Sequence, residues 1–352
     1  MIEAKAYVLR KTGEIPSLED IQVSDDLKPG QVMLRVLYSG LCATQMEEIF
    51  VSSRNAKYMP HLFGHEGVGV VEALGPGVKT KKLGDICVIH WRPSSIGMDS
   101  EPGDYFVNQT KVSSGKVVTF STAVVVPERN LTQLPSCVSP AAGSVLGCSL
   151  TTGWGSVVRL GEMKVGDIVV ITGVGAVGTS AALVALLGGA EKVLTVDPRK
   201  PANNILKNNR VQHFQLLEDA LAHIAGASRQ DANVIAIETS GDQMTISKLV
   251  DFLPAASKLV LVGMPRGGAG SVINTQKLLD GLKVIGSNGG NVDPGVDLQQ
   301  IVSMSKSRLL SDLTQPIKIS KLGDLNSAIT NQIQSNAKQI LNLAINLSRK
   351  VG

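Results

Sequence analysis

Ile168-Val169-Val170-Ile171-Thr172-Gly173-Val174-Gly175-Ala176-Val177-Gly178, continued from Thr179 to Ala190 without a charged residue, is the stretch that decides the fold. Ile168 to Thr172 is a continuous apolar run, suited to a strand buried on both faces of a parallel sheet. An apolar helix is predicted from Ala176 to Leu187, opening at the glycine turn. The whole stretch is long enough to cross a bilayer, which takes about 20 apolar residues. However, Gly173, Gly175, Gly178, Gly188 and Gly189 interrupt it and no basic cluster flanks it. It therefore reads as strand, glycine turn and helix, and no membrane partner is expected.

Gly173, Gly175 and Gly178 fit G-x-G-x-x-G, and an acid, Asp197, ends the next predicted strand, Lys192 to Val196. In that order the first glycine permits a tight turn and the second lets backbone approach a pyrophosphate. The third allows close helix–strand packing, while the helix N-terminus offers free N–H groups to phosphate. Asp197 would accept hydrogen bonds from adenosine ribose hydroxyls and repel a 2′-phosphate, so NAD is expected rather than NADP. Arg199 and Lys200 pull the other way, because a basic side chain there holds a 2′-phosphate. Gly173, Gly175, Val177, Gly178, Asp197 and Arg199 are the cofactor-binding candidates. A glycine-rich structural turn with a capping aspartate is the plain alternative for the same residues.

Outward from this unit, Val234 to Glu238 and Lys258 to Val262 repeat the apolar strand, each separated by a helix-length segment. Alternating strand and helix predicts an α/β fold, a doubly wound parallel sheet of Rossmann type. Upstream, Val32 to Leu37, Gly67 to Glu72 and Asp85 to Trp91 are short strands set off by Lys28-Pro29-Gly30 and Gly75-Pro76-Gly77. Lys116 to Val126 is expected to hold a fourth and a fifth, giving a partly open β-barrel. Past Gly289-Gly290, helices are expected at Val296 to Leu310 and Leu322 to Ser335, then a closing strand at Gln339 to Ile345. The division expected is residues 150–290 for the cofactor domain, inserted into a discontinuous catalytic domain of residues 1–149 and 291–352.

Composition bounds the function. At 352 residues the chain suits two domains, and 43% hydrophobic with 18% charged residues is globular rather than disordered. A net charge of +4, with no basic run interleaved with aromatics, makes nucleic acid a poor partner. Cys42, Cys87, Cys137 and Cys148 form no C-x-x-C pair, and the N-terminus has no signal-peptide pattern, so a reducing cytoplasm is expected.

Three more segments bear on chemistry: Gly40-Leu41-Cys42-Ala43-Thr44, Gly64-His65-Glu66-Gly67 and Gly147-Cys148-Ser149-Leu150-Thr151-Thr152-Gly153. Two thiolates and a neutral imidazole suit zinc, and three protein ligands leave a fourth position open, as a catalytic site needs. Far apart in sequence, they do not by themselves separate a metal site from buried packing cysteines and a core histidine. The chain resembles the zinc-containing medium-chain dehydrogenase/reductase family over nearly its whole length. The resemblance is carried by Gly64-His65-Glu66-Gly67-Val68-Gly69, Gly75-Pro76-Gly77-Val78, Gly84-Asp85, Gly147-Cys148 through Thr152-Gly153, and the glycine fingerprint. It implies a GroES-like catalytic barrel, with Cys42, His65 and Cys148 as ligands of one catalytic zinc. It also implies Glu66 as a neighbouring carboxylate, Thr44 as the hydroxyl that relays the substrate proton, and Thr152 beside the cofactor.

The chain departs from that family in places. Trp91 to Val118 contains no cysteine, so the second, structural zinc of many members is not expected, and the loop is expected to be a flexible surface excursion. Gln45 stands where relatives carry an aspartate bonded to the zinc-binding histidine, and Glu47 where many carry a relay histidine. Trp91 and Arg92 are candidate substrate contacts, an apolar wall and a partner for an anionic group. Lys338 is a candidate neighbour of the pyrophosphate, and Cys87 and Cys137 are assigned to packing. The expected activity is reversible hydride transfer between an alcohol and NAD, giving an aldehyde or ketone, in a homodimer or homotetramer. The rivals are a zinc-free quinone or enoyl reductase of the same superfamily and a non-catalytic dinucleotide-binding protein.

Overall fold

The computed structural model describes residues 1–51, 56–199, 208–227, 233–265, 270–304, 318–321, 323–335 and 339–342. Two sheets come first, antiparallel except for the parallel pair β17–β18 in the second. One runs β4 (His61–Leu62), β1 (Ile2–Leu9), β2 (Ser17–Val23), β7 (Tyr105–Val107), β8 (Thr110–Val112). The other runs β10 (Leu131–Gln133), β6 (Ile86–His90), β5 (Glu66–Leu74), β3 (Gln31–Leu41), β18 (Gln339–Asn342), β17 (Lys318–Lys321), with β9 (Ala123–Pro127) also paired to β3. They wrap one apolar core that includes Leu9, Ile21, Leu34, Ile89, Phe120 and Leu131, forming the partly open, GroES-like barrel.

β1 and β2 had no counterpart in the sequence reading, because charges interrupt their apolar pattern. Lys5 faces Asp20 across the pair, 2.5 Å apart, while Ile21 and Val23 turn inward. Between Lys116 and Val126 only one strand forms rather than two. Phe120 there bonds to Tyr7 and Phe63 through its backbone and enters the core as an irregular segment. The excursion expected after Trp91 lies at the surface from Ser95 to Asp99 but is anchored on either side. Ser94 and Tyr105 are buried, β7 and β8 form a hairpin, and the Tyr105 hydroxyl donates to Val125 O and accepts from Val125 N.

The third sheet is parallel throughout, in the order β13 (Val211–Phe214), β12 (Lys192–Val196), β11 (Ile168–Thr172), β14 (Val234–Glu238), β15 (Lys258–Leu261), β16 (Lys283–Gly286). Numbered within the sheet this is 3-2-1-4-5-6, the doubly wound Rossmann order. Every residue of β11 is buried, as its unbroken apolar run requires. The helices are α1 (Ala43–Phe50), α2 (Pro140–Gly143), α3 (Ser149–Gly155), α4 (Ala176–Leu187), α5 (Leu217–Ala227), α6 (Gln243–Phe252), α7 (Thr275–Leu279), α8 (Pro294–Met304) and α9 (Leu325–Ser335). The predicted helix from Val296 thus starts two residues earlier and is described to Met304; residues 305–310 lie outside the described residues. Lys338 and residues 343–345 of the predicted closing strand lie outside them as well.

One contact positions everything that follows. α3 lies against α4, and a Cβ on Gly153 would come within 2.7 Å of Ser180 Cβ and 2.8 Å of Ala181 N. Only a residue without a side chain allows that approach. No described helix is long and apolar enough to cross a membrane.

Candidate metal centre

Three loops deliver three ligand atoms. Cys42 follows β3 in extended conformation as the N-cap of α1. His65 precedes β5, after Gly64 at φ +104°, a left-handed conformation that favours glycine. Cys148 is the N-cap of α3. One atom from each lies within 4.8 Å of the others, with both cysteines buried and His65 half-buried. Ligands on a tetrahedral zinc, with bonds of roughly 2.0–2.3 Å, stand less than about 4 Å apart, so small side-chain movements would close the set. Two thiolates and an imidazole fit zinc chemically and would balance its formal charge.

Glu66 backs this cluster. It is fully buried, pairs with His90 in register between β5 and β6, and its carboxylate accepts from Ser149 Oγ and Ser149 N at 3.4 Å. Gly40 and Gly147 make room for it. A Cβ on Gly40 would meet Glu66 Oε1 at 2.6 Å, and one on Gly147 would meet Glu66 Cβ at 3.0 Å. Thr44 is exposed, with Oγ1 3.8 Å from Cys42 Sγ. Glu47 lies on the same helix one turn after Ala43 and is half-buried. Gln45 is fully buried: its Oε1 accepts from Cys42 N at 2.9 Å and its Nε2 meets His65 Nδ1.

The glycine turn shows three separate geometries. Gly173 has φ +84°, its N–H donates to Val196 O at 2.8 Å, and its carbonyl accepts from Thr239 Oγ1 at 2.8 Å. Gly175 is the N-cap of α4 and faces open space; a Cβ there would meet nothing within 4 Å. Gly178 is packed so tightly on the Gly173 carbonyl that a Cβ would fall well inside 3.0 Å of its oxygen and 3.0 Å from Thr239 Oγ1. Val177 is half-buried in the first turn. Asp197 is buried at the end of β12; it accepts from Val174 N and Arg199 N, both at 2.9 Å, and Arg199 Nε lies 3.7 Å away.

Trp91 and Arg92 turn toward the segment after β16. Arg92 Nε donates to Val292 O at 2.8 Å, its Nη1 donates to Asn288 O, and its guanidinium lies 5.7 Å from the Trp91 ring centre. Burial lowers the Arg92 pKa below the ordinary guanidinium value. Both side chains press on Gly289, at φ +60°, and Thr152 meets the same turn from α3, its carbonyl packed against Gly290. Cys42, His65, Cys148, Glu66 and Gln45 thus converge, and Thr152, Trp91 and Arg92 meet around Gly289-Gly290. Cys87 is buried, which pushes its thiol up to about 12. Cys137, also assigned to packing, is exposed instead, because Pro135 and Pro140 bracket it in a surface turn.

Glu238 escaped the sequence reading. Fully buried at the end of β14, it accepts from Ser240 N at 2.7 Å, Gly241 N at 3.0 Å and Thr172 Oγ1 at 3.4 Å. Burial pushes its carboxyl up from the ordinary range despite those bonds. It binds the loop after β14 to the end of β11, where the sheet order reverses and such folds open their ligand crevice. Its signal in the sequence is an acid ending an apolar strand, as at Asp197.

Residues 28–136 match the family model described as the alcohol dehydrogenase GroES-like domain. Alcohol dehydrogenase-like 2 of Arabidopsis thaliana is 27% identical over 347 residues, covering 89% of both chains. Among solved structures, the alcohol dehydrogenase zinc-binding domain protein from Burkholderia ambifaria superposes with a TM-score of 0.85 at 24% identity, covering 98% of this chain and 100% of that one. Benzyl alcohol dehydrogenase from Acinetobacter calcoaceticus gives 0.82 at 22% identity, with the same coverage.

Proposed function

We infer that the chain is an alcohol dehydrogenase of the zinc-containing medium-chain dehydrogenase/reductase family, moving hydride between an alcohol carbon and NAD. The observation that carries the inference is the convergence of Cys42, His65 and Cys148 within 4.8 Å, with Cys148 capping the helix that abuts the helix opening at the dinucleotide fingerprint. When bound, zinc supplies Lewis acidity toward the substrate oxygen, and NAD supplies the hydride acceptor.

The chain's own residues do the rest. Cys42, His65 and Cys148 hold the ion, and Glu66 stands behind them as a carboxylate able to turn toward it. The Thr44 hydroxyl takes the substrate proton, and Glu47, next along the exposed side of α1, passes it outward. Gly175 leaves room for the pyrophosphate, and the N–H groups opening α4 meet its charge. Val177 packs beside it in the first turn. Asp197 receives the adenosine ribose hydroxyls and Arg199 lies at its edge; Lys338, outside the described residues, is assigned to the phosphates by the resemblance alone. Thr152 and Trp91 wall the nicotinamide side of the cleft, where Arg92 is the candidate partner of an anionic substrate. The catalytic domain is assigned to residues 1–149 and 291–352 and the cofactor domain to 150–290. The edge strand β16 is where two copies would pair, in a cytoplasmic homodimer or homotetramer.

Metal analysis with NADH formation tests the proposal. About one zinc per chain is expected. Cys42→Ala should lose both the metal and NAD reduction across a panel of neutral and anionic alcohols. A metal-free chain that still oxidises alcohols, or a Cys42→Ala variant with full activity, would remove the proposal.

A further inference from the structure

The Gln45 amide meets two partners of fixed character. The backbone N–H of Cys42 can only donate, so the end of the amide 2.9 Å from it must be the oxygen. The other end is then NH2, and it faces His65 Nδ1. A neutral imidazole carries one proton; where Nδ1 accepts, the proton sits on Nε2, the nitrogen left for an ion. Binding an ion through Nε2 puts that proton on Nδ1, opposite an amide that itself offers N–H. Histidine ligands are ordinarily held by an acceptor at the second ring nitrogen. Gln45 has a single oxygen and has already committed it to Cys42.

We propose that Gln45 is a positioning residue that sets the hydrogen-bond polarity of His65 against metal binding, so that this chain holds its zinc loosely and exchanges it. The inference rests on the metal site proposed above. Its structural basis is the juxtaposition of Cys42 N, the buried Gln45 amide and His65 Nδ1 in one short chain of contacts. A carboxylate of the same length would serve both neighbours, one oxygen accepting from Cys42 N–H and the other from His65 Nδ1–H.

The test compares wild type with Gln45→Glu by competing zinc against a chromophoric chelator, with the cobalt(II) spectrum reporting thiolate ligation and circular dichroism reporting the fold. Gln45→Glu is expected to bind zinc about 10- to 100-fold more tightly, the usual weight of such outer partners. Affinity unchanged or weakened in a folded variant overturns the proposal. A second measurement needs no variant: in metal-free wild type labelled with 15N-histidine, His65 should carry its proton on Nε2. A proton on Nδ1 overturns the proposal even if Gln45→Glu does not fold. Failure of wild type to take up zinc or cobalt at all would instead remove the dehydrogenase reading, and the His65 tautomer would still be scored separately.

Discussion

Replacing Gly178 with alanine should damage the fold and the proposed cofactor site together, whereas the same change at Gly175 should damage only the proposed cofactor site. A methyl at 178 would lie well inside 3.0 Å of the Gly173 carbonyl oxygen and 3.0 Å from Thr239 Oγ1. The nearest obstacle is backbone, and it is pinned by Gly173 N–H to Val196 O and by Thr239 Oγ1 to Gly173 O. It cannot rotate aside as a side chain would, so α4 must lift from the turn. Overpacking of this kind costs about 1–3 kcal/mol. At roughly 2–4 °C per kcal/mol for a domain of this size, the melting temperature should fall by about 2–12 °C. Displacing the first turn of α4 by about 1 Å also misplaces the N–H groups proposed to bind phosphate, an error on the scale of 100-fold. Gly175 at φ −78° meets nothing within 4 Å, so alanine there should leave melting unchanged and still weaken NADH, by occupying the space the pyrophosphate needs. Thermal unfolding by circular dichroism and NADH binding by fluorescence separate the two effects. A Gly178→Ala protein that melts with the wild type, or a Gly175→Ala protein that binds NADH normally, would refute the geometric reasoning.

Asp197→Ala should narrow the proposed preference for NAD by raising affinity for NADP relative to NAD; an unchanged ratio of the two dissociation constants would show that the carboxylate does not choose the cofactor. His90 sets a pH dependence of stability: burial pushes it from 6.5 down to about 4, and it sits neutral, donating from Nδ1 to Arg92 O at 2.6 Å. Its contribution is complete above about 6.5, declines as pH falls because the unfolded chain takes a proton the native one refuses, and stops declining below about 4. Denaturant melts across that window should show a loss of up to about 3 kcal/mol that His90→Gln flattens. Glu128→Ala should cost about 3 kcal/mol, since it strands donors that Glu128 now accepts from Lys79 N, Thr80 N, Thr80 Oγ1 and Met98 N; a change under about 0.5 kcal/mol would show those bonds to be replaceable by water.

The parallel-sheet half was legible because its physics is local. An apolar run, three glycines and a terminal acid follow one another in sequence, so β11, α4 and β12 emerge with the predicted limits, and φ +84° at Gly173 is the turn the pattern demands. The barrel was less legible. β1 and β2 carry charges such as Lys5 and Asp20 that mask their apolar pattern, although Tyr7, Val8, Leu9, Ile21 and Val23 are buried in the core, and Phe120 enters the core from irregular backbone. The proposed metal ligands Cys42, His65 and Cys148 lie far apart in sequence, so family resemblance rather than spacing singled them out. The lobe after Trp91 misled for a related reason. It lacks cysteines, and its order comes from the Tyr105 phenol bonded to Val125 and from Glu128, groups that carry no recognisable motif. The polarity of the Gln45 amide could not be foreseen at all, since it depends on a backbone N–H and a ring nitrogen meeting in space.

With Gly153 seated on the backbone of Ser180 and Ala181, the helix capped by Cys148 and the helix that opens the nucleotide turn form one strut. Cys42 and His65 flank the barrel strands β3 and β5. An ion shared by all three would act as a rivet across the cleft, and its departure would loosen the joint between the two halves as well as end the chemistry.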